Sequence, residues 1–406
     1  MKQTIFLIAW LVVISFCSCK DNSIIEGDNI VRVDGQDRDL DSITGDNYVY
    51  HLPIIFHVFY QNSSDTTQYI PQARLATILA NVNELYRGDV YNRNLDTIPS
   101  ENIHVQFELA LKDEQDRTLA TPGVEYIPYP DGVDSINYKT FMNDRTQKYQ
   151  KYLWDPNDYI NVMVYKFGDD DQESTTLGIS SMPYKVGNYP DIEGLKSNRY
   201  YPMKKENLNF AYCISINSEY VDAKYEGTRY TTDKDSLNYV YNSSDANATL
   251  AHELGHYLGL RHAFSENSTQ DGTEMADNDN DTDYCTDTPS YNRNEYEKWL
   301  INFLKENRDK KYSLRDVVVR SNSRGEKWLA DNMMDYVACL NMRFTPQQFH
   351  RMRRVLYYAP LIPGPKIKRI GTRAIETYDG VIEDLPIVLS KPRTINKNIP
   401  EIRISK

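Results

Sequence analysis

Residues 251–262 read AHELGHYLGLRH, and their types and spacing could hold a hydrolytic metal ion. His252 and His256 stand four positions apart, about 40° around a helix, so their imidazoles leave one face a turn apart and can share an ion. Glu253 projects beside them without being forced to bind, which is where a base must stand to take a proton from a metal-activated water. On an unbroken helix His262 would lie about 240° round from His256 and face away, so the helix has to end first. Gly259 can take the left-handed conformation that ends a helix and swing His262 back as a third ligand. Three neutral imidazoles and a water make the open tetrahedral site of catalytic zinc, in which the water's pKa falls to about 7. Chance explains the pattern poorly: five such positions match by accident in a chain of this composition with a probability on the order of 10⁻⁵, against about 10⁻² for a bare HExxH. A lone histidine is usually structural, and His51, His57, His104 and His350 are read that way.

HELGHYLGLRH resembles the HExxHxxGxxH signature of the metzincin zinc peptidases. NMMDY, residues 332–336, is similar to the methionine turn that underlies the metal in that family. The resemblance makes Met334 that methionine and Tyr336 the tyrosine that lies near the zinc. It narrows to the pappalysin-like branch over Tyr48–Leu356, at IIFHVFY, NVNELYRG, IHVQFELAL, WDPNDYINVMVY, DYCTDTP and MDYVACLNMRFTPQQFHRM. The fold it implies is a mixed α/β (α+β) metzincin catalytic domain: a twisted mixed β-sheet whose edge strand lines the cleft, the zinc helix beneath, and an irregular lower part with the Met-turn. The function it implies is zinc-dependent endopeptidase, Glu253 acting as general base and Tyr336 helping to stabilise the oxyanion. It further implies a disulfide between Cys285 and Cys339, with Cys213 left as a buried thiol.

The chain departs from the branch in the acidic run DNDNDTDYCTDTP and in a longer segment before the Met-turn. Asp279, Asp281, Asp283 and Asp287, with Asp277, offer hard oxygen ligands, and relatives of this type can carry calcium near that loop. The EF-hand pattern fails there, with Thr282 at its glycine position and Thr288 at its closing glutamate, so a solvated acidic loop competes with calcium.

The elements that must position these residues are legible in part. YVYHLPIIFHVFY (48–60) suits a central strand, and Leu75, Ile78, Leu79, Val82, Leu85 and Tyr86 recur at helical spacing before Gly88. Strands are predicted in 102–111, 154–167, 177–184 and 210–217, which with the helix gives a βαβ-then-strands order. A helix is predicted around Glu295–Glu306, inside a charged segment, 292–328, read as a surface insertion. Another is predicted over 345–358, where Thr345, Pro346 and Gln348 form a capping box. The tail, 361–406, has alternating apolar residues and several prolines, and its role is not legible.

Over 406 residues the composition is 40% hydrophobic and 12% aromatic, that of a globular protein with room for a sizeable core. Acidic residues outnumber basic ones, 58 to 46, with no long Lys/Arg run, which excludes nucleic acid as the expected partner. Lys2 and the apolar run from Ile5 to about Cys17 have the layout of a secretory signal, too short to span a bilayer. Ser18–Cys19 resembles the junction of bacterial lipoprotein signals, with Cys19 lipidated. The expected organisation is therefore a signal over 1–18, a tether over 19–46, and a peptidase domain over 47–360. Such a protein is extracytoplasmic, anchored to a bacterial membrane, most simply the outer one, and acts as a monomer on protein or peptide substrates. The tether has no cysteine between Cys19 and Cys213 to serve as a thiol switch; an aspartate of VDGQDRDLD is the candidate in its place. The rival reading is a surface protein that uses the cleft only to hold a peptide or glycan, for which the base Glu253 would be superfluous.

Overall fold

The computed structural model describes residues 23–26, 29–32, 47–90, 99–130, 132–168, 173–187, 191–227, 242–266, 276–336, 338–367 and 374–402. Cys19 and most of the expected tether lie outside them.

The centre of the fold is the strand β1 (Tyr50–Tyr60), a run of β-branched and aromatic residues buried along most of its length. It pairs in parallel with three others: β2 (Val105–Leu109), β3 (Val124–Pro128) and β4 (Ile160–Tyr165). The step from β1 to β2 passes through helix α1 (Gln72–Arg87), the crossover that a parallel pair requires. All six apolar positions anticipated on α1 are buried, and Gly88 ends it in the left-handed conformation. Beyond β4 the sheet continues with β6 (Ile214–Asn217), parallel to β4, and then β5 (Ser174–Ser180), antiparallel to β6. This is the mixed α/β architecture anticipated from the sequence.

The expected edge is covered. β5 does not end the sheet, because a last strand, β7 (Arg393–Asn396), pairs antiparallel with it. An open edge carries a row of unpaired backbone donors and acceptors, and here the chain's own C-terminal region meets them. Strand β3, also unanticipated, is too short and too mixed in pattern to stand out from its neighbours.

Helix α2 (Ala246–Tyr257) packs against α1 and under the sheet, with every residue buried. Asp245 caps its start by accepting from Asn247 N, and the Tyr86 hydroxyl of α1 donates to Ala251 O at 3.0 Å. Helix α3 (Arg293–Glu306) lies in the charged segment and sends Leu300 and Leu304 into the main core. Helix α4 (Pro346–Tyr358) starts with the predicted capping box of Thr345 and Gln348. Among the described residues, no helix is long and apolar enough to cross a membrane.

Candidate active site

His252 and His256 lie on α2 with their rings 4.7 Å apart, centroid to centroid. The helix ends at Tyr257, and Gly259 follows at φ +93°. Its N–H donates to His256 O, and Leu260 N donates back to Gly255 O, so the freed carbonyls are satisfied as the chain reverses. The reversal delivers His262: its Nε2 stands 3.1 Å from that of His252 and 3.0 Å from that of His256.

Each ring is held from behind by an acceptor. His252 Nδ1 faces Met333 O at 2.8 Å, His256 Nδ1 faces Leu260 O at 2.8 Å, and His262 Nδ1 faces a Glu266 carboxylate oxygen at 2.5 Å. Those oxygens can only accept, so the ring protons sit on Nδ1 and three Nε2 lone pairs point at one another. Burial, and for His252 also the nearby Arg393 guanidinium, pushes all three histidines below the ordinary imidazole range and keeps them neutral. Three converging lone pairs repel unless a cation shares them. Nitrogens bound at 2.0–2.1 Å around a tetrahedral ion would stand about 3.3 Å apart, close to the spacing found. The donor set therefore fits a metal, and it is the one group of His, Cys, Asp or Glu among the described residues that could hold one.

Glu253 is fully buried above the same face, and both carboxylate oxygens lack a hydrogen-bond partner. Ser390 stands beside it, near enough to favour the ionised form, but in a geometry that falls short of a hydrogen bond. Burial is the larger influence and raises the carboxyl well above its usual range. β5 passes directly over it: a Cβ on Gly178 would lie 2.9 Å from Glu253 Cγ.

The turn 332–336 runs beneath the histidines. Met334 is buried against Gly255 of α2, and the Tyr336 ring lies 4.6 Å from that of His262 and 5.5 Å from that of His252, centroid to centroid. From α3, the Arg293 guanidinium sits 4.3 Å from the Tyr336 ring centre. Arg320, also from the charged segment, is buried and pairs with Asp335 Oδ2 at 3.3 Å.

One expectation is corrected. Cys285 and Cys339 are free buried thiols, not a disulfide, as is Cys213. Cys339 Sγ is turned to Asn332 O at 3.2 Å and accepts from Asn341 N at 3.3 Å, while Cys285 sits in the turn closed by Asp283. The aspartates of the acidic run are engaged within the protein. Asp279 accepts from Ser323, Asp281 from Asp283 N, Asp283 from Cys285 N, and Asp287 from Thr345 and Gln347 at the start of α4. Of the histidines read as structural, His57 is buried between Glu125 and Asn161, and His51 meets Glu108 at the surface.

Sequence reasoning missed Glu266, Gly178, Arg293 and the tail. An acid four residues beyond the third histidine was a usable signal for Glu266. The others come from distant segments with no motif.

Residues 217–357 match the family Peptidase_M43, pregnancy-associated plasma protein-A. No curated protein matches the chain. Among solved structures, it is similar to mature mirolysin of Tannerella forsythia in complex with a cleaved peptide, at 20% identity over 76% of this chain and 92% of that one, TM-score 0.42. A promirolysin mutant of the same organism is 19% identical over 77% of this chain and 82% of that one, TM-score 0.43. The family match covers about a third of the chain, and within it lie Glu253, all three histidines and the turn with Met334 and Tyr336.

Proposed function

We propose that the protein is a zinc-dependent endopeptidase with Glu253 as its general base. The observation that carries this is the convergence of three neutral Nε2 atoms beside a buried carboxylate that no protein group satisfies. His252, His256 and His262 would hold the ion, which when bound would polarise the scissile carbonyl and acidify the attacking water. Glu253 takes the proton of that water and passes it to the leaving amine. The Tyr336 hydroxyl donates to a peptide carbonyl, that of Pro392, at 2.7 Å, and would in the same way donate to the oxygen of the carbonyl under attack. A binding protein would need the cleft but not Glu253.

The test is zinc content together with hydrolysis of a mixed peptide library, on the full chain and on the opened forms described below. Glu253→Gln should keep one zinc and lose 10²–10⁴-fold in rate. His256→Ala should lose both. Equal hydrolysis by the wild type and Glu253→Gln overturns the mechanism.

The lipobox-like Ser18–Cys19 supports an extracytoplasmic, lipid-anchored protein. Cys19→Ser should move it from the membrane fraction to the soluble one, and unchanged membrane association would contradict the anchor.

A further inference from the structure

The active-site groups are sealed: His252, Glu253, His256, His262 and Tyr336 are each at most 3% exposed. The cover is the chain's own C-terminal segment, residues 388–397. It enters with Met182 N donating to Val388 O and Ser390 N to Ser180 O, both at 2.8 Å, runs antiparallel along β5, and leaves with Lys397 N donating to Glu173 O, also at 2.8 Å. The pairing is broken twice. Leu389 lies opposite Ser181 and Arg393 opposite Gly178, so four steps of the tail span three of β5. The extra residue falls at 390–392, and the next step, from Arg393 to Thr394 opposite Thr176, spans two residues of β5 and restores the register.

The contacts there are those of a peptide in a cleft. Ser390 stands beside Glu253, and Pro392 O accepts from Tyr336. The Arg393 side chain is buried, donating to Asp335 O at 3.1 Å and Asn341 Oδ1 at 3.2 Å, with Nη1 3.3 Å from His252 Nδ1. Lys391, Pro392 and Thr394 wall a small cavity with His262, Glu266 and Tyr336. Asn396 Nδ2 ties the far end to Glu297 of α3 at 2.9 Å.

We propose that residues 388–397 are a built-in occupant of the substrate cleft, which keeps the peptidase latent until the segment is cut free or displaced. The proposal rests on the peptidase reading above. The same contacts define what the opened cleft takes: an extended peptide added to β5 by backbone pairing, its residues at the site flanked by the Met-turn on one side and Glu253 on the other. The attachment upstream is exposed: Tyr378 and Val381 face solvent, and Gly380 turns at φ +74°. A second protease could cut there without unfolding the core.

The test keeps the full chain and inserts a site-specific protease sequence between Asp379 and Gly380. After the cut, the C-terminal fragment is removed by dilution and filtration. The cut chain should hydrolyse a peptide library at least ten times faster than the intact one, and a synthetic 387–399 peptide should return it to the slow rate. The point variant Arg393→Asp, which needs no insertion, should also raise the rate. Thr176→Cys with Thr394→Cys, on residues that face each other across β5 and β7, should stay slow after the cut while oxidised and speed up on reduction. Equal rates before and after the cut, or no effect of the added peptide, overturn latency. Binding of a fluorescent 387–399 peptide to the cut chain but not the intact one reads occupancy without turnover. Such binding with no hydrolysis by either form would uphold the occupant and overturn the peptidase reading; equal binding to both forms overturns the occupant.

Discussion

A Cβ built on Gly255 would lie 2.6 Å from the sulfur of Met334. The glycine inside the histidine motif thus lets the Met-turn press against the metal helix. Helix propensity alone would favour alanine there by roughly 0.5–1 kcal/mol. The close approach reverses the sign.

Gly255→Ala should therefore destabilise the fold, by about 1–3 kcal/mol, as an overpacked core substitution does. In denaturant titrations, Met334→Ala should be costly alone, but Gly255→Ala should cost much less in its presence, because the clashing sulfur is gone. Additive effects would show that the two residues do not press on each other.

Glu266 lies behind His262, its carboxylate accepting from Nδ1. Burial alone would raise its pKa, but His262 beside it holds it below the usual carboxylate range, so it is ionised. Removing such a partner typically costs 10–100-fold in metal affinity. Glu266→Ala should weaken zinc binding by that factor in competition with a chelator, and Glu266→Gln by less, since the amide oxygen still accepts. Unchanged affinity in both variants would deny Glu266 a part in orienting His262.

Asp283 is buried in the acidic loop, and burial raises its pKa to about 8, with Asp281 adding to the rise. The hydrogen bonds oppose that rise without cancelling it. The Thr288 hydroxyl lies 2.5 Å from both Asp283 Oδ2 and Cys285 O, and its single proton serves only one of them. Bonds donated by Thr288 and by Cys285 N favour the ionised carboxylate, but burial outweighs them. Between pH 4 and 8 the folded state then keeps a proton that the unfolded chain has lost, so this contribution is complete below pH 4 and is lost as pH rises to about 8. Urea midpoints of the wild type should fall over that range, by up to about 1.4 kcal/mol per pH unit. Asp283→Asn, unable to ionise, should flatten the fall. Parallel curves would mean that Asp283 is ionised throughout.

Local pattern carried the metal site, because every part of it lies within eleven residues of helix and turn: 3.6-residue periodicity aligns His252 and His256, and one glycine at positive φ returns His262. The same holds for α1 and α4, whose apolar spacing and caps are written in consecutive residues. Contacts between distant segments were beyond that reach. The implied Cys285–Cys339 bridge failed because the direction of each thiol is set by loops packed around it, and Asp287 caps a helix whose start lies 60 residues away. The tail shows this most clearly. RTIN reads like any short polar strand, and its pairing with β5, 215 to 222 residues earlier, exists only once the sheet has formed and left an edge to fill. Sequence determined which residues could hold a metal and move a proton. Tertiary structure alone decided that the cleft over them is closed by the chain's own end.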